Sequence, residues 1–98
     1  MARVIVTPEA VSALNRLIVS HSLPTDTTER FRRSLQPLEM FPRLGRALEG
    51  HGYDGLRFLL GPWRWMVIVY EHTEASDTVG VLTVQDARSS SAATNYRA

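Results

Sequence analysis

The sequence predicts an α+β fold: a four-stranded antiparallel sheet with a helical hairpin packed on one face. Three observations predict it. Apolar residues recur at helical spacing in the first part of the chain, four short segments are β-branched or alternate, and the order of elements is β-α-α-β-β-β. The 98 residues leave room for one domain with one core, spanning 1–98. No internal repeat is visible.

The first strand is Arg3-Val-Ile-Val-Thr7. Thr7-Pro8-Glu9 then starts a helix, with Thr as N-cap, Pro at the first helical position and Glu at the positive end of the dipole. Val11, Leu14, Leu17 and Ile18 carry it to about His21. Pro24 sits in the break, and Thr25, Asp26 or Thr27 caps a second helix whose apolar members are Phe31, Leu35 and Leu38. Pro37 should kink or end that helix, because it lacks a backbone donor and crowds the preceding turn. A loop from Pro42 to Gly55 follows, marked by Gly45, Gly50, Gly52 and Gly55 and containing His51. Strands are then expected at Leu56–Leu60, Trp63–Tyr70 and Thr78–Val84, joined by the turns at Gly61-Pro62 and Glu71–Asp77. From about residue 86 to 98 the chain is polar and serine-rich, a tail or a short terminal helix.

A hairpin turn of two or four residues fixes the faces of the two central strands. It places Arg57, Leu59, Arg64, Met66, Ile68 and Tyr70 on one face, and Phe58, Leu60, Trp65, Val67 and Val69 on the other. The second set is the expected floor for the helices, so Arg57 and Arg64 are expected on the open face. A one-residue slip would exchange the two faces.

Composition removes several function classes. The chain has no cysteine, so there is no disulfide framework, thiolate zinc site or cysteine nucleophile. His51 and His72 have no second ligand at a metal-binding spacing, and no metal or organic cofactor is expected. The glycines at 45, 50, 52 and 55 do not form a phosphate loop. No apolar run is long enough to span a bilayer, and the expectation is a cytoplasmic protein. Net charge is only +1, too small to mark a nucleic-acid binder. All 11 basic side chains are arginine, however, and lysine is absent. Arginine grips phosphate but cannot act as a general base, so proton transfer falls to His21, His51, His72, a carboxylate or a tyrosine.

The chain resembles the RelE/ParE toxin superfamily over nearly its whole length. The residues that carry the resemblance are the opening strand and helix from Val4 to Leu17 and Leu38-Glu-Met-Phe-Pro42-Arg-Leu-Gly45. They continue with Gly55-Leu-Arg-Phe-Leu59, Trp63-Arg64 running into Val69-Tyr70, and Val81-Leu-Thr-Val84 leading to Arg88. The resemblance implies the toxin of a type II toxin–antitoxin pair, held inactive by a cognate antitoxin. It would act as a ribosome-dependent mRNA endonuclease, with ribosome and mRNA as partners. The alternatives are a ParE-like, non-enzymatic inhibitor of DNA gyrase, or a toxin fold that has lost activity.

Carried over position by position, Arg57 resembles the RNA-phosphate contact, Arg64 the central transition-state arginine and Arg88 the arginine after the last strand. Attack of a 2′-hydroxyl on the adjacent phosphate adds charge to the equatorial oxygens. A guanidinium fork meets two of them, and losing one such donor costs ~3–4 kcal/mol of barrier. The family often has a tyrosine or histidine near the carboxy terminus. Tyr96, eight residues past Arg88, is the residue of that kind here, although Thr94 falls closer to the usual place. The family's lysine positions are unfilled, and Asp86-Ala-Arg-Ser stands where a more basic cluster is usual. Read without the resemblance, Arg57 and Arg64 are solvated strand charges, Arg88 pairs with Asp86, and Arg30, Arg32 and Arg33 form a solvated helix face. The resemblance also implies an acidic antitoxin segment covering Leu59, Met66 and Ile68 on the open face.

Overall fold

The computed structural model describes residues 1–50 and 52–88. Strand β1 (Arg3–Val6) leads into α1 (Pro8–Ser20) and α2 (Thr27–Leu35), followed by a 3-10 turn at Gln36–Glu39. Then come β2 (Arg46–Ala47), β3 (Leu56–Leu60), β4 (Met66–Thr73) and β5 (Thr78–Asp86). The sheet order is β1-β5-β4-β3-β2.

The α+β class and the helical hairpin are as expected, and the sheet differs in two respects. It has a fifth strand, β2, whose two residues are too few to show any periodicity. It is also mixed, because β1 pairs parallel to β5 while the other neighbours are antiparallel. The meander β3-β4-β5 ends with β5 between β4 and β1, running in the same direction as β1.

Local chemistry explains the helix boundaries. Thr7 caps α1: its Oγ1 accepts from the Ala10 N–H (3.2 Å) and donates to the Val81 carbonyl (2.8 Å). One hydroxyl thereby satisfies an orphan helix donor and ties α1 to the sheet, a contribution of about 1 kcal/mol for the cap alone. At the other end Ser22 takes a left-handed φ of 50°. The Leu23 N–H bonds to the Ile18 carbonyl and the Ser22 N–H to the Val19 carbonyl, which is a Schellman ending built without glycine. Pro37 ends α2 as expected, at the head of the 3-10 turn.

The hairpin turn has four residues, Pro62–Trp65, closed by the Gly61 N–H to the Met66 carbonyl (2.8 Å). The parity of the two strands is therefore as the sequence suggests, with Arg57 opposite Tyr70 and Leu59 opposite Ile68. Strand β4 begins three residues later than expected, which leaves Trp63, Arg64 and Trp65 in the turn.

The helices, however, cover the other face. Ala10, Ala13 and Leu14 of α1 and Phe31 and Leu35 of α2 pack with Met66, Ile68 and Tyr70, not with Val67 and Val69. Strand β5 decides this. It sets Val84 opposite Ile68, then a bulge at Leu82 shifts the register so that Val81 lies opposite Tyr70 and Val79 opposite His72. Three valines thus join the Met66 face, whereas Val67 and Val69 face Gln85 and Thr83. Burying the all-apolar set removes more nonpolar surface from water, at about 25 cal/mol per Å². Leu59, Met66 and Ile68 consequently lie under the helices, and the open strip expected to meet an antitoxin does not exist there.

Arg57 moves with its face. It is part-buried on the helix side, where its Nη1 donates to the carbonyls of Gly45 (2.7 Å) and Arg43 (3.3 Å). The Gly45 N–H in turn donates to the Tyr70 hydroxyl (2.8 Å). Position 45 needs glycine, since a Cβ there would lie 2.5 Å from the Phe58 carbonyl oxygen and 2.8 Å from the Tyr70 ring. Tyr70, Gly45 and Arg57 together clamp the 43–47 segment, and with it β2, to the sheet.

Candidate functional site

One end of the sheet gathers the chemistry. The hairpin turn Pro62–Trp65, the last residue of β5 and the carboxy-terminal end of α1 meet there, each placed by a local device. The Schellman ending fixes the backbone at His21. Pairing with Met66 places Asp86, and the Ala87 N–H to the Trp65 carbonyl (2.6 Å) fastens the residue after β5 to the turn.

Asp86 is the hub. Its Oδ2 lies 2.8 Å from His21 Nε2 and 2.9 Å from Arg88 Nη2, while its Oδ1 accepts from Arg88 Nε (3.0 Å) and from the Arg88 N–H (2.9 Å). The Arg88 bonds, aided by His21, outweigh burial and hold the Asp86 carboxyl well below the usual carboxylate range. The same bonds raise the Arg88 guanidinium further above its ordinary value. His21 Nδ1 faces the Ser20 hydroxyl at 2.8 Å.

Aromatic rings form the floor. The His21 imidazole stacks on Trp65 at 4.7 Å and 13°, and Trp65 stacks on Trp63 at 6.1 Å. The Arg88 guanidinium lies 5.0 Å from the Trp65 ring centre, and Arg30 of α2 lies 5.6 Å from that of Trp63. These cation–π contacts hold two arginines beside the ring stack.

Of the residues expected from the sequence, Arg64 and Arg88 are brought to this end, on either side of Trp65 in the chain. Arg64 is exposed at the turn and carries no hydrogen bond or ion pair among the described residues. Arg57 is not part of the cluster. It pairs with Tyr70, four residues along β4 from Met66, or ~13 Å at the rise of a strand. Tyr96 and His51 lie outside the described residues. His72 bonds Asp77 (2.9 Å) in the β4–β5 hairpin, and its buried Nδ1 has no hydrogen-bond partner among the described residues. The sequence offers His21 as a proton carrier and Asp86 as the partner of Arg88, a pair the structure contains, but it does not join His21 to Asp86 and reads Arg30 as a solvated helix charge. Only the position of His21 just past a helix end was a local signal, and its partner is 65 residues away.

This arrangement offers an exposed guanidinium, Arg64, that is unpaired among the described residues, a second one, Arg88, held by a carboxylate, and an imidazole oriented by that same carboxylate. No group of three or more potential metal ligands occurs among the described residues. The apolar groove between α1 and α2, lined by Val6, Val11, Leu14, Phe31 and Leu35, includes the single charged side chain Arg32 and lacks such groups. No helix among the described residues is long and apolar enough to cross a membrane.

No protein-family model matches the sequence, and neither does any curated protein. Solved structures do match. The isolated E. coli RelE toxin superposes with a TM-score of 0.65 at 16% identity, over 93% of this chain and 89% of that one. The toxin–antitoxin complex RelBE of E. coli gives 0.66 at 16%, over 91% and 100%. The archaeal RelE–RelB complex of Pyrococcus horikoshii gives 0.59 at 23%, over 90% and 98%. The fold is that of the RelE toxins, so the resemblance drawn from the sequence holds at the level of the fold.

Proposed function

We propose that this chain is the toxin of a type II toxin–antitoxin pair, and that it cleaves mRNA on the ribosome without a metal or organic cofactor. The observation that carries this reading is the end of a RelE-like fold where the exposed turn residue Arg64, unpaired among the described residues, directly precedes Trp65, over whose ring the Arg88 guanidinium lies. In this mechanism Arg64 binds the scissile phosphate with two parallel N–H bonds and stabilises the charge that builds on its oxygens. Arg88 leaves Asp86 for the same phosphate as the transition state forms. Arg57 contributes a more distant phosphate contact through the donors it does not spend on Gly45 and Arg43, and Tyr96 assists proton transfer. The solved complexes pair RelE with RelB, and the reading includes a cognate antitoxin that covers this rim.

A second reading has one observation in its favour. Arg88 is held in a bidentate pair by Asp86, which lowers the net positive charge of the rim. A surface of that kind suits a gyrase-docking, ParE-like protein that does no chemistry. Induction in a bacterial host separates the two. For the nuclease, growth stops and a translation reporter falls before any DNA-damage response. A damage response that comes first, with mRNA intact, replaces the nuclease by the gyrase inhibitor.

A further inference from the structure

We infer that His21 is the general base of this site, taking the proton of the attacking 2′-hydroxyl at Nδ1. The inference rests on the nuclease reading and assigns a role to a residue that the resemblance leaves unassigned.

The chain needs such a group, because none of its 11 basic side chains is a lysine and arginine stays protonated. Of the histidines in the described residues, His72 is bound into the β4–β5 hairpin, and His21 alone shares a partner with a site arginine. Three contacts fix the ring. Nε2 meets Asp86, one face lies on Trp65, and the backbone is locked by the helix ending. With Nε2–H donated to an ionised Asp86, the tautomer leaves the lone pair on Nδ1. Nδ1 faces the Ser20 hydroxyl at 2.8 Å, on an exposed helix end. A substrate hydroxyl that displaces Ser20 therefore arrives at hydrogen-bond distance from a base.

The step balances. The 2′-hydroxyl gives its proton to Nδ1 as its oxygen bonds to phosphorus. The bond from phosphorus to the 5′-oxygen breaks, and the 5′-oxygen takes a proton from water. The products are a 2′,3′-cyclic phosphate and a free 5′-hydroxyl, and the imidazolium returns its proton to the hydroxide left behind. Asp86 stabilises the imidazolium, while Arg88 shares that carboxylate and opposes the positive charge. When Arg88 moves to the phosphate, Asp86 is left to the imidazolium alone. Arg30, the charged group on α2, is separated from His21 by both tryptophans.

The test is single-turnover cleavage of a defined mRNA on programmed ribosomes by the full chain, across pH, with wild type, H21Q, H21A, R64A and Y96F. A base at His21 makes the wild-type rate fall on the acid side. It lowers H21Q by ~10²–10⁴-fold and removes that acid limb, while Y96F keeps the limb. Free imidazole restores part of the H21A rate, which a merely structural role does not allow. If wild type cleaves and R64A does not, yet H21Q matches wild type or keeps the acid limb, the base is elsewhere and the nuclease reading survives. If wild type does not cleave, both fall. Should the His21 variants fail to fold by thermal melting, the wild-type profile decides, and a rate flat on the acid side overturns the inference.

Discussion

Replacing Tyr70 by Phe tests how the 43–47 segment is held. Tyr70 is fully buried, and its hydroxyl is the acceptor for the Gly45 N–H at 2.8 Å. The substitution keeps the ring and its packing and removes a single oxygen. It leaves a buried backbone donor unpaired, which costs about 1–3 kcal/mol. For a domain of this size each kcal/mol is worth roughly 4–8 °C, so Y70F should melt roughly 5–20 °C below wild type. Gly45→Ala attacks the same junction sterically, since its Cβ would meet the Phe58 carbonyl oxygen at 2.5 Å, a backbone atom that cannot swing away. The double variant should lose less than the sum of the two, because each sever the same contact. Thermal and urea denaturation of the three variants would measure this. A Y70F melting point within about 2 °C of wild type would refute the clamp.

Other outcomes follow from the same geometry. Burial raises the Tyr70 phenol above its ordinary value, against the Gly45 N–H and Arg57. The folded state then holds that proton longer than the unfolded chain. Its contribution is complete below about pH 10 and fades as the pH rises above it, a loss that Y70F should not show in alkaline denaturation curves. Asp86 has the opposite sign. Its lowered carboxyl contributes stability above about pH 4 that is lost as the pH falls further, and D86N should flatten the acid limb of the melting curve. The effect should be small, because the Arg88 partner is exposed and screened by water. Arg57→Ala should cost about 1–3 kcal/mol through its lost carbonyl bonds. By contrast, Arg64→Ala should stay within ~0.5 kcal/mol of wild type while abolishing growth arrest. Arg64→Lys should keep more antitoxin affinity than toxicity, since a point charge attracts an acidic segment but does not grip a phosphate with two bonds. Growth curves and antitoxin titrations on these variants check both statements.

Much of the architecture was readable in the sequence because it is local. The Thr7-Pro8-Glu9 start, the stop at Pro37 and the even-length hairpin turn each depend on a few neighbouring residues. The choice of covered face was not local. It depended on the bulge at Leu82, which puts Val79 and Val81 on the same side as Val84, and no alternation rule within β3 and β4 contains that fact. Arg57 illustrates the same limit. Its place in the strand was legible, but its carbonyl partners lie 12 and 14 residues away in a loop. At the candidate site Arg64 and Arg88 could be found by their order in the chain. His21 could not be joined to Asp86, because such pairing across the fold leaves no spacing pattern.

The parallel seam between β1 and β5 also sets a schedule for the chain as it is made. Arg3 pairs with Thr78, Val6 pairs with Val81, and the Thr7 hydroxyl reaches the Val81 carbonyl across 74 positions. An amino-terminal fragment that stops before β5 therefore has an open seam beside β1, no valine wall under α1 and no carboxylate for His21. Contacts of such long range are closed late and slowly, after their loop entropy has been met. During synthesis the arginine rim and the imidazole stay apart until residue 86 has been added. The cluster around Asp86 thus comes into being only with β5, the last strand among the described residues.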